Sequence, residues 1–198
     1  MEWMSLISGV GGAILGGILA GYFSLKAATK SHENQVELAK DNEAQLVSGL
    51  LQAIHDEIET VFERYQSTMG VRLDALEEGG AIAAYYPLSS DFFSVYNGNC
   101  FLIGRIKNNE LRKQIVKTYT LAKAMVDSFR FNNDLVFKLE IAHKLHNETQ
   151  LEVHKEHEAA HYQSLVDYTK SLKTGHQSFK QEVTKLLIEL RNNAVSSD

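Results

Sequence analysis

The sequence predicts an all-α protein: one N-terminal transmembrane helix, then a long stalk helix, then an antiparallel cytoplasmic helical bundle. Three observations carry this. Trp3 to Leu25 is uncharged, since only Glu2 carries a charge before Lys26. The chain has a single proline, Pro87, so little interrupts helical periodicity. Apolar residues after position 46 recur at steps of three and four, the repeat of a helix that buries one face.

The segments expected are an anchor over 1–25, a stalk over 26–45, a bundle over 46–191 with an irregular loop near 77–109, and a frayed tail over 192–198. A helix from Trp3 to Leu25 extends about 35 Å, against a hydrocarbon core of about 30 Å. Trp3 at one end and Tyr22-Phe23 at the other sit roughly 28 Å apart along it, as two headgroup belts require. A cleaved leader fits less well, because Glu2 stands where a basic n-region belongs. Lys26 and Lys30 follow the run and no basic residue precedes it, so the expected orientation is N-terminus out with the bundle in the cytoplasm.

Glycine and other small residues form two rows inside the run: Ser8, Gly12, Gly16, Ala20 and Ser24, and Ser5, Gly9, Ala13, Gly17 and Gly21. In lipid such rows let backbones approach closely. The expected oligomerisation face is therefore Gly12, Gly16, Gly17 and Gly21, with a second copy of the chain and the bilayer as partners.

The stretch 32–44 is polar all round and reads as an exposed stalk. Val47, Leu51, Ile54, Ile58, Val61 and Tyr65 then step 4-3-4-3-4, a heptad seam that Leu50 and Phe62 widen into a bundle face. Periodicity stops at Glu77-Glu78-Gly79-Gly80. Ser89 or Ser90 is a candidate N-cap for a short helix through Tyr96, closed by Asn97-Gly98-Asn99. Cys100 to Ile106 reads as buried helix or extended linker, with Cys100 structural. Asn108 or Asn109 caps an amphipathic helix through Leu111, Ile115, Tyr119, Ala122, Met125 and Phe129, with a break or bend at Asn132-Asn133. A further helix runs from about Asp134 to Lys173, closed by Thr174-Gly175, and the last carries Phe179, Val183, Leu186, Leu187 and Leu190.

The net charge of −5 argues against nucleic-acid binding, which needs a basic face, and a lone cysteine cannot form an intrachain disulfide. No phosphate loop or nucleophile elbow is present. His157-Glu158-Ala159-Ala160-His161 does match HExxH, and His143, His146 and His154 fall within about 80° of the same face if one helix carries them all. Polar flanks, an arbitrary third ligand and the abundance of His and Glu around the match count against a zinc hydrolase. His154, His157 and His161 are its ligand candidates; the expectation is no enzyme, no metal and no cofactor. Tyr85, Tyr86, Phe92 and Phe93 form an aromatic loop that either packs or receives a cytoplasmic protein partner.

The segment Tyr86-Pro87-Leu88-Ser89-Ser90-Asp91-Phe92-Phe93-Ser94-Val95-Tyr96, continued by Ile103-Gly104-Arg105-Ile106 and Ile115-Val116-Lys117-Thr118-Tyr119, resembles a group of bacterial single-span proteins of uncharacterised function. These are similar in plan to membrane effectors of retron-type and abortive-infection phage defence. The resemblance implies a membrane-anchored effector that acts by oligomerising; it supplies no catalytic residues. A passive scaffold tethering a cytoplasmic partner is the second reading.

Overall fold

The computed structural model describes residues 2–88 and 93–195, with side chains described at residue 17 and over 20–88 and 93–193. Among these residues the secondary structure is entirely helical. The elements are α1 (Glu2–Tyr65), a π-turn (Gln66–Gly70), α2 (Val71–Ala75), α3 (Ser94–Gly98), α4 (Cys100–Ile103), α5 (Asn109–Thr149) and α6 (Glu152–Val195). The chain divides into two compact units, Met1–Leu46 and Val47–Asp198.

In the first unit the backbone is helical from Glu2 onward, through the polar stretch as well. Its described side chains are almost all exposed. Among the described residues no helix is long and apolar enough to cross a membrane. Most of the expected span, with Gly12 and Gly16, lies outside the residues whose surroundings are described.

The second unit is built on one core. From α1 it takes Ile54, Ile58 and Tyr65 of the expected seam together with Leu50, the residue expected only to widen it, while the seam residues Val47, Leu51 and Val61 pack at the margin with Phe62. Leu111, Ile115, Tyr119, Ala122, Met125 and Phe129 enter from α5, and Leu172, Phe179, Val183, Leu186 and Leu190 from α6. With Val61 and Phe62 filling the step on α1 and the buried His176 filling it on α6, these residues recur every three or four positions, so a continuous stripe is removed from water. Asn108 caps α5, its side-chain oxygen accepting from the backbone N–H groups of Glu110 and Leu111 at 3.1 Å each.

Three expected boundaries move. Asn132-Asn133 does not break α5, and Thr174-Gly175 does not close a helix. The chain reverses instead at Gln150, whose φ of 53° and ψ of 22° are left-handed and whose N–H returns to the carbonyl of His146 at 2.8 Å. Both asparagines are buried, where their amides hold a loop. Gly175 is a contact between helices: a Cβ there would lie 3.1 Å from Met125 Sδ. The final helix continues to Val195, so residues 192–195 are helical, and 196–198 lie outside the described residues.

Between α2 and α3 the chain crosses α5 and α6. Asn133 pairs with both polar groups of the Tyr86 backbone, accepting from its N–H at 2.9 Å and donating to its carbonyl at 2.8 Å. Asn132 donates to the Ile82 carbonyl at 3.1 Å, and the Ile82 N–H donates to Thr169 Oγ1 at 3.1 Å. An irregular segment so close to the core would otherwise carry unpaired backbone groups. The proposed caps Ser89 and Ser90 lie outside the described residues; α3 is entered through Phe93 at φ 68°. Cys100 opens α4 and is exposed, which corrects its reading as a buried structural residue.

Candidate functional site

The apolar steps across Val61, Tyr65, Met69 and Leu73 are 4-4-4, one residue more than a 4-3-4 seam allows. The structure absorbs the extra residue as the π-turn Gln66–Gly70, in which the Val71 N–H reaches the Gln66 carbonyl five residues back. Widening the helix frees carbonyls, and two hydroxyls take them up. Ser67 Oγ donates to the Arg64 carbonyl at 3.0 Å, while Thr68 Oγ1 lies 2.9 Å from Arg64 O and 3.1 Å from Tyr65 O. One-turn π elements of this kind are frequent at functional sites.

A polar chain fastens the inner side of the turn to α6. The Tyr65 hydroxyl lies 2.8 Å from His176 Nδ1, and His176 Nε2 lies 3.0 Å from Asp74 Oδ1. Because an ionised Asp74 only accepts, His176 donates from Nε2, and in the tautomer with its proton there Nδ1 accepts the hydrogen bond of the Tyr65 hydroxyl. Asp74 also accepts from Lys180 at 2.7 Å and from Gln66 at 2.8 Å. These hydrogen bonds, Lys180 first and His176 second, hold its carboxyl well below the usual aspartate range. Burial pushes the Tyr65 hydroxyl well above the ordinary phenol value. The phenol stays protonated at neutral pH, and the chain of hydrogen bonds fastens the turn to α6.

The outer side of the turn opens into a hollow of about 510 Å³, lined by Arg64, Ser67, Thr68, Met69, Arg72 and the loop residues Tyr85 to Pro87, with Val71 at its edge. Arg64 and Tyr86 also line a smaller, largely apolar cavity of about 40 Å³ among Tyr65, Phe93, Met125 and Phe129. The aromatic residues expected to receive a partner thus separate. Tyr86 packs edge-on against Phe129 and Phe93 against Tyr119, both within the core region. Tyr85 remains 68% exposed, and Phe92 lies outside the described residues.

The histidines also separate. His143 and His146 lie on α5 and His154, His157 and His161 on α6, with the reversal at Gln150 between them, so they do not share one helix face. Glu158 does not turn toward His157 and His161. Its two oxygens lie 2.6 Å from His143 Nδ1 and 2.6 Å from His146 Nδ1 across the hairpin, and these bonds draw its carboxyl below the usual range. His154, His157 and His161 line a different hollow, with Ile141, Ala142 and Leu145. Among the described residues no group of three or more His, Cys, Asp or Glu is placed to hold a metal ion.

Of the glycine face, Gly17 and Gly21 are described, and a Cβ on either would meet nothing within 4 Å. Tyr22, Phe23 and Leu25 beside them are 60–72% exposed. No protein-family model, curated protein or solved structure matches the chain.

Proposed function

We propose that this is a membrane-anchored helical protein whose N-terminal helix enters the bacterial inner membrane, self-associates there through its glycine rows, and carries the bundle in the cytoplasm. One observation carries the reading. The uncharged run from Trp3 ends in the large apolar side chains Tyr22, Phe23 and Leu25, which lie exposed on a helix, and exposed apolar surface of this kind in water calls for lipid or a partner. The open space at Gly17 and Gly21 supports close approach by a second helix. The process to which the sequence resemblance points is abortive phage defence, with the assembled spans compromising the membrane and the bundle receiving the cytoplasmic trigger.

The test is expression of the intact chain and of a Gly12→Leu/Gly16→Leu variant from a tight promoter. Membrane fractionation, crosslinking and membrane potential are followed with and without phage. The expected result is that both proteins resist carbonate extraction, while only the parent crosslinks to itself and depolarises the cell. Release of the parent by carbonate overturns the anchor. Identical crosslinking by both proteins overturns the glycine contact, and an anchored protein that never depolarises the cell leaves a tether for a cytoplasmic protein as the function.

A further inference from the structure

We propose that the hollow on the outer side of the π-turn binds a phosphate monoester, with Arg64 and Arg72 on the phosphate and the organic body against Tyr85. The first argument is helical phase. On a regular α-helix two residues eight apart differ in direction by about 80°, and the extra residue of a π-turn reduces this to about 20°. The turn therefore brings Arg64 and Arg72 to one face, about 10–12 Å apart along the axis and within the combined reach of two arginine side chains. Both line the same hollow, as this phase requires.

The second argument is charge. Among the described residues no Asp or Glu lines the hollow, and neither guanidinium has a hydrogen bond or ion pair. Glu63, next to Arg64 in sequence, is not among the residues that line the hollow, and Asp74, two residues beyond Arg72, is occupied on the inner side by His176, Lys180 and Gln66. Two planar guanidinium forks with no counter-ion among the described residues, in a chain of net charge −5, suit a compact dianion whose several oxygens can be shared between them. The third argument is shape. About 510 Å³ lies within the range of small-molecule sites, and the exposed ring of Tyr85 with Tyr86 and Pro87 gives one wall a flat, apolar surface. That wall is fixed, because Asn133 holds the Tyr86 backbone at both polar groups.

The experiment is calorimetric titration of the full-length protein in detergent with phenyl phosphate, inorganic phosphate, benzoate and a short-chain phosphatidic acid. Phenyl phosphate is expected to bind about tenfold more tightly than inorganic phosphate, a gap that Tyr85→Ala closes. Arg64→Ala and Arg72→Ala should each weaken binding about tenfold or more, and Arg72→Lys should also weaken it, because the charge remains and the fork is lost. Both arginines are exposed, and unchanged melting temperatures verify that the variants fold. Tighter binding of phosphatidic acid than of phenyl phosphate, lost in the same arginine variants, identifies the monoester as a lipid headgroup and supports the site. Benzoate binding as tightly as phenyl phosphate, arginine variants that bind unchanged, or no phosphate compound binding at all would each overturn it.

Discussion

The hydroxyl of Tyr119 donates to Glu57 Oε2 at 2.8 Å, joining α5 to α1 inside the bundle. The same carboxylate accepts the backbone N–H groups of Val95 at 2.7 Å and Tyr96 at 3.1 Å, so it also closes the first turn of α3. Burial, and then this bond, raise the Tyr119 hydroxyl far above the ordinary phenol value. One side chain thereby orders three elements. Glu57→Gln keeps the shape but turns an amide donor toward groups that donate. The expected loss is about 2 kcal/mol in urea denaturation, with α3 losing amide protection first in hydrogen exchange.

The Asp74 network makes a pH-dependent contribution of known sign. Its folded pKa lies below the unfolded value, so the stabilisation is fully present above about pH 4, the unfolded aspartate range, and is lost as pH falls further toward the folded value. Asp74→Asn should therefore melt lower than the parent at pH 7, with the gap narrowing as pH drops below about 4. A constant gap from pH 7 to pH 3 contradicts this. His176→Phe should cost about 2–3 kcal/mol at pH 7, because it leaves the Tyr65 hydroxyl without its partner in a buried site.

Gly175 sits at the contact between α6 and α5, where an added Cβ already approaches Met125 Sδ. Gly175→Leu is expected to destabilise by about 1–3 kcal/mol despite the better helix propensity of leucine, since overpacking outweighs it. Met125→Ala in the same chain should restore part of the loss. A helix-ending role for Gly175 would give no such rescue.

Beyond the main core, α5 and α6 form an arm that presents Phe137 and Ile141 to solvent, 61% and 51% exposed. Replacing both with serine should shift the melting temperature by no more than a few degrees, because little burial is lost. A large drop would show that the arm packs more tightly than its exposure indicates.

Where a helical stripe faces the core, the sequence is enough. Leu50, Ile54 and Ile58 on α1 and Leu111 to Phe129 on α5 are buried where their spacing puts them, and Asn108 caps α5. The helix ends between 130 and 175 are not legible, for a physical reason. Asparagine and glycine are helix-terminating residues when the chain is read locally, yet Asn132 and Asn133 are consumed by distant backbone groups and Gly175 by a neighbouring helix. The true reversal uses Gln150, which sequence gives no reason to expect in a left-handed conformation. The histidine grouping fails with it, because a reversal inside the run splits five residues between two helices. The π-turn did leave a signal, the 4-4-4 spacing from Val61 to Leu73. The expected heptad seam stopped at Tyr65, one step before the spacing departs from 4-3.

A π-turn is also a place where chain length and fold come apart. Losing one codon at Ser67 or Thr68 would convert the turn into ordinary α-helix and leave Leu73 and Asp74 in phase with Tyr65. The same loss at residue 60 would swing everything beyond it by about 100° and take Tyr65 off the core. Single-residue length variation between natural copies of this gene is therefore expected to collect at 66–70, and shorter copies would keep the bundle while lacking the widened outer face.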